Sequence, residues 1–95
     1  MKTYLEIYQE DLDWEEEYLY FLRGNVKAKH QHLYQEAIED YTQCLELDPE
    51  YDEAYTNRGY CKEQLGDKEG TLADWQKAAD LGDEDAKKVL EENCE

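Results

Sequence analysis

Three observations predict an all-α chain, an α/α superhelix of two helical hairpins with a capping helix at each end. The first is an internal repeat: Tyr20-x-x-Arg23-Gly24-x-x-Lys27 returns 35 residues later as Tyr55-x-x-Arg58-Gly59-x-x-Lys62. A second register, Ala37-Ile38-x-Asp40-Tyr41-x-x-Cys44, returns 34 residues later as Thr71-Leu72-x-Asp74-Trp75-x-x-Ala78. Periods in this range mark stacked units, none of which can bury its apolar face alone. The second observation is composition. Apolar residues make up 40% of the 95, nine tyrosines and two tryptophans among them, which argues against disorder in spite of the charge. The third is punctuation. One proline and five glycines are too few for the frequent turns of an all-β chain.

The elements follow in order. Residues 1–14 form an N-terminal cap segment, with Leu5, Tyr8 and Leu12 at helical spacing. Unit one spans 15–49. Its first helix covers about residues 15–30, with Glu15, Glu16 and Glu17 complementing the positive end of the helix dipole and Tyr20, Gly24 and Val26 facing inward. A turn falls near Gln31-His32-Leu33. The second helix runs from Tyr34 to Leu47, with Ala37, Ile38, Tyr41, Cys44 and Leu45 inward, and Asp48-Pro49 ends it. Unit two spans 50–82. Its helices cover about 52–65 and 68–81, with Leu72, Trp75, Ala78 and Ala79 inward. Gly66-Asp67 and Gly82-Asp83 each supply a C-terminal glycine followed by an N-cap aspartate. Residues 83–95 form a C-terminal capping helix carrying Ala86, Val89, Leu90 and Cys94 on one stripe. The initial methionine and the two end helices favour a whole protein over a piece of a longer array.

Ten basic and 26 acidic residues give a net charge of −16. Nucleic acid and anionic membrane both require a cationic footprint and are excluded as expected partners. No apolar run approaches a membrane span, and no export signal is visible at the start. Three cysteines at unmatched spacings give no disulfide framework, and a cytoplasmic setting is expected.

The repeated residues resemble the tetratricopeptide repeat. Unit one supplies Tyr20, Gly24, Ala37, Tyr41, Cys44 and Pro49 for that pattern; unit two supplies Tyr55, Gly59, Thr71, Trp75 and Ala78. Thr71 replaces the usual alanine, and unit two ends in Gly82-Asp83 rather than in proline. The segment from Trp75 to Ala86 is also similar to Sel1-like repeats. In this pattern the glycine lets the second helix approach, and a small residue opposite it is expected to fill the gap.

The resemblance implies a concave groove along the first helices. Tyr18, Phe21, Asn25, Ala28 and Lys29 would line it from unit one, and Glu53, Thr56, Tyr60 and Glu63 from unit two. Tyr18 and Phe21 have an alternative role, packing against the N-terminal cap. Arg23/Lys27 and Arg58/Lys62, each spaced i, i+4, either form a basic strip for an acidic peptide or pair internally with Asp40 and Asp74. The aspartates repeat in step with the arginines, which favours the internal pairing. Surface pairs of this kind contribute only about 0–1 kcal/mol.

Other chemistry is weakly signalled. His30-x-His32 lacks the further ligands zinc needs and coincides with the one-residue insertion, so a solvated turn is expected. Asp48, Glu50 and Asp52 resemble the start of an EF-hand, but Glu53 stands where that loop needs glycine. Cys44 and Cys61 read as core residues, and no base is placed to activate a nucleophile. The expected function is therefore a non-catalytic protein–protein interaction module, without cofactor, a monomer or weak homo-oligomer that takes a peptide or protein segment in its groove. The alternatives are an acidic decoy or chaperone that holds a basic protein by charge, and a self-associating structural unit.

Overall fold

The structure, a computed structural model, describes residues 15–93. The expected N-terminal cap segment, 1–14, and Cys94 lie outside them. Five helices follow in order: α1 Glu16–Lys29, α2 Tyr34–Leu47, α3 Asp52–Gln64, α4 Lys68–Asp80 and α5 Glu84–Asn93. There is no strand among the described residues. Each helix packs on the next, and α1 also touches α3, which is the arrangement of stacked hairpins.

The glycine-aspartate steps make the same connection twice. Gly66 and Gly82 take φ of 83° and 106°, the left-handed region that glycine enters without a Cβ clash. Around Gly66, Asp67 N–H donates to Lys62 O at 2.9 Å and Gly66 N–H to Glu63 O at 3.0 Å. Around Gly82, Asp83 N–H donates to Ala78 O and Gly82 N–H to Ala79 O, both at 3.0 Å. This pairing satisfies carbonyls orphaned at a helix end. Each aspartate then caps the following helix, Asp67 accepting from Gly70 N–H at 2.9 Å and Asp83 from Ala86 N–H at 3.1 Å. In the first hairpin the turn is one residue longer. There Leu33 N–H donates to Lys27 O at 2.8 Å, and His32 holds the left-handed conformation at φ 55°. The insertion between the two sequence registers thus sits in the 30–33 turn.

The core lies between the hairpins. Phe21, Ala37, Tyr41, Cys44, Leu45, Ala54 and Cys61 form one buried cluster, with Trp75, Ala78 and Ala86 buried beyond it. On α2 the buried positions are Ala37, Asp40, Tyr41, Cys44 and Leu45, and on α4 they are Thr71, Asp74, Trp75 and Ala78. These are spacings of three and four, one helix face. Two inward expectations are corrected. Val26 is 47% exposed, whereas its counterpart Cys61 is buried. Cys61 is covered between two hairpins, but the same face of α1 is the outer face of the first described hairpin. Leu72 is exposed because the inward stripe of α4 starts at Thr71, and the next residue is turned about 100° away.

The close helix approach is set by an aromatic ring rather than by a small residue, which corrects the expected packing. A Cβ on Gly24 would stand 2.8 Å from Tyr41 Cε1, and one on Gly59 would stand 2.5 Å from Trp75 Nε1. Each glycine is the floor on which the aromatic of the next helix lies. Trp75 is fixed there by its indole N–H, which donates to Thr56 O at 3.2 Å. Thr71 fits the alanine position because its hydroxyl lies 2.8 Å from Asp67 O and 3.1 Å from Gly59 O, so it is buried with acceptors in reach.

Candidate protein-interaction groove

Two faces of the stacked hairpins carry polar side chains, and on one of them the arrangement repeats. The first is the arginine–aspartate ladder. Arg58 Nε and NH2 donate to the two carboxylate oxygens of Asp74, both at 2.8 Å, and Lys62 Nζ lies 3.0 Å from Asp74 Oδ2. Arg23 Nε and NH2 donate to Asp40 Oδ1 at 3.0 and 2.7 Å, and Lys27 Nζ lies 3.2 Å from Asp40 Oδ2. Each guanidinium also lies over a tyrosine of its own helix, Arg23 over Tyr20 at 5.4 Å and Arg58 over Tyr55 at 5.6 Å. The hydrogen bond to the aspartate raises the pKa of each arginine further, against the opposing effect of burial.

The internal pairing expected from the sequence is therefore what the structure contains. Its classification as a surface pair is corrected, because Asp40 and Asp74 are both buried. The bases of the ladder are occupied by the chain's own carboxylates. Arg58 goes further and donates from NH1 to Thr42 Oγ1 at 3.1 Å, tying the second hairpin to the first.

The second face is a groove of about 290 Å³ lined by Ala28, Lys29, Tyr34, Asn57, Tyr60, Cys61 and Gln64. It brings together Ala28, Lys29 and Tyr60 of the expected groove residues. Asn57, Gln64, Cys61 and Tyr34 join them from outside the expected groove set. Asn57 and Gln64 have sequence signals, since they lie three residues before and four after Tyr60, on the same helix face. Tyr34 has none, because its place depends on the lengthened turn.

Two expected groove residues are corrected. Phe21 is 6% exposed and belongs to the core, with its ring 4.9 Å from that of Tyr51 and 5.9 Å from that of Tyr41. Thr56 is 5% exposed, and its hydroxyl donates to Asp83 Oδ2 at 2.8 Å, joining α3 to the start of α5. Asn25 is partly buried. Its Oδ1 accepts from Tyr41 O–H at 2.5 Å and from Asn57 Nδ2–H at 2.9 Å. Asn57 and Asn25 thus join the first helices of the two hairpins. Tyr18, Glu53 and Glu63 are exposed.

Tyr60 is the large aromatic of the groove that remains open, 41% exposed, with its ring edge-on to Trp75 at 5.2 Å. Its phenol is raised above the ordinary 10.0, first by burial and then by the carboxylates of Asp85, Glu63, Glu92 and Asp83. Among the described residues no group of three or more His, Cys, Asp or Glu is placed to hold a metal ion, and no helix is long and apolar enough to cross a membrane. His32 Nδ1 instead shares a 2.9 Å hydrogen bond with the Tyr34 hydroxyl.

Comparison with protein families matches residues 33–66 to the family described as TPR repeat. The matched stretch runs across α2 and α3, the second helix of one hairpin and the first of the next. Comparison with curated proteins returns no match.

Proposed function

Because the chain carries a tetratricopeptide repeat, an element that mediates protein–protein contacts, we propose that it is an interaction module taking a segment of a partner protein in the groove beside α3. The repeat is an interaction element, not typically a catalytic one. The observation that carries the reading is the contrast between the two polar faces. The ladder's bases are bound to buried aspartates, whereas the groove keeps an open tyrosine and Gln64 at its surface. Tyrosine supplies contact area at small entropic cost, which suits an anchor. The proposed division is two repeats, 15–49 and 50–82, with α5 as the terminal cap. The proposed setting is cytoplasmic, consistent with Cys44 and Cys61 being free.

The net charge of −16 favours one second reading, a decoy that holds a basic protein by charge alone. Salt and geometry separate the two. The purified chain and its Gln64→Trp variant, which blocks an exposed lining position, are used to retain partners from lysate at low and then high salt. Groove binding predicts partners that survive high salt on the parent chain and are lost on the variant. Partners that all elute with salt and ignore the variant would overturn it in favour of the decoy.

A further inference from the structure

We infer that Tyr60 anchors a lysine or arginine side chain of the bound segment, held over its ring between the carboxylates of Glu63, Asp85 and Glu92. The inference rests on the groove reading above and supplies the partner's chemistry. Three features of the site converge on a cation. The ring is 41% exposed and packs against Trp75 with centroids 5.2 Å apart, so it is open to solvent yet supported on one side. A rigid exposed ring face attracts a cation through its quadrupole.

The carboxylates around it are the second feature. Glu63 lies one turn beyond Tyr60 on α3, and Asp85 and Glu92 lie two turns apart on one face of α5. All three act on the Tyr60 hydroxyl, and none of them is in an ion pair among the described residues. Asp83, the fourth, is used by the fold, accepting from Thr56 and from Ala86 N–H. The contrast with the ladder is informative. There every buried carboxylate has its base from the same chain; here the acids are exposed and none is ion-paired among the described residues.

The third feature sets a direction. Lys29 lines the same groove from the α1 side and makes no ion pair among the described residues. A second base is disfavoured at that end by like charge, so the segment lies with its basic residue toward α5. An acidic segment is disfavoured over Tyr60 by the like charge of the same carboxylates.

The test is selection of a random twelve-residue peptide library, displayed on phage, against the intact chain, followed by anisotropy titration of the selected peptides. Selected sequences should align on a lysine or arginine. Their affinity should fall about tenfold in Tyr60→Leu and be retained in Tyr60→Phe, which keeps the ring. The doubly neutral Asp85→Asn/Glu92→Gln variant alters exposed positions only, and should lose several-fold in affinity with helicity unchanged. Selected peptides without an aligned base, or basic peptides that bind Tyr60→Leu as tightly as the parent, overturn the anchor. If those peptides still lose binding in Gln64→Trp, the anchor falls and the groove stands; if they ignore Gln64→Trp as well, both fall.

Discussion

At the scale of single residues, the aspartates on the inward stripes of α2 and α4 are the least expected feature of the core. A buried carboxylate without partners is costly, so Asp40 and Asp74 persist there because arginine and lysine reach them from the preceding helix. The two sites are unequal. The Arg23 side chain is 59% exposed and bonds one carboxylate oxygen, whereas Arg58 is 16% exposed, bonds both, and reaches Thr42. Arg58→Ala should therefore cost about 2–3 kcal/mol and Arg23→Ala about 1 kcal/mol, since only the former breaks a bidentate pair that spans two hairpins. Urea midpoints of the two variants, with unchanged slope, would check the ranking. Equal midpoints would show that the Thr42 bond and the second oxygen contribute nothing. The same recurrence of Arg and Asp was legible in the sequence; the burial that gives it weight was not, because hydropathy alone places aspartate outside.

At the scale of elements, helix pairing depends on what lies over each glycine. Alanine is the better helix former by up to about 1 kcal/mol, so intrinsic propensity favours Gly59→Ala. The structure predicts the opposite sign. The new Cβ would meet Trp75 Nε1 at 2.5 Å and Thr71 O at 3.3 Å, and the indole is held by its bond to Thr56 O. Overpacking should win, lowering stability by about 1–3 kcal/mol. Thermal unfolding of Gly59→Ala decides it: a raised midpoint would mean that the indole shifts freely. Helix ends were read closely from the chain, because Gly66-Asp67 and Gly82-Asp83 state stop and start in adjacent residues. The turn at 30–33 has no glycine, and its left-handed residue is His32, a weaker signal than glycine for that conformation.

At the scale of the whole molecule, stability is shared among hairpins that bury each other's faces. The core holds its thiols and phenols neutral, while its aspartates are ion-paired. Burial pushes the Cys44 thiol up from 9.0 to about 12 and that of Cys61 to about 11, and the Tyr51 phenol from 10.0 to about 12. Raised pKa values favour the protonated folded state, so this stability is fully present below pH 9 and is lost as pH climbs toward 11–12. Denaturation midpoints should fall across that window, and less steeply in Cys44→Ala; a midpoint flat from pH 8 to 11 would contradict it. The far end of the stack gives a second expectation. Deleting residues 83–95 removes Asp83 from Thr56 and uncovers the face of α4 on which α5 packs. The truncated chain should lose cooperative unfolding or aggregate. A soluble truncation of unchanged helicity and melting profile would show that α5 does not cap the array.

What the sequence by itself determined is the periodicity and its punctuation. Two registers of inward residues, spaced for one helix face, and paired stop-and-cap signals are local properties, so the helices of the described residues and their order follow from them. Which residues face a partner was decided only by the tertiary structure. Phe21 and Tyr60 look alike as groove aromatics on successive first helices, yet one packs beneath Tyr51 and the other stays open. The difference lies in neighbours brought from elsewhere in the chain: Tyr41 and Tyr51 pack on Phe21, which is 6% exposed, whereas Tyr60 packs on Trp75 and stays 41% exposed. Exposure is a property of what packs around a side chain, and no period along one chain segment encodes it.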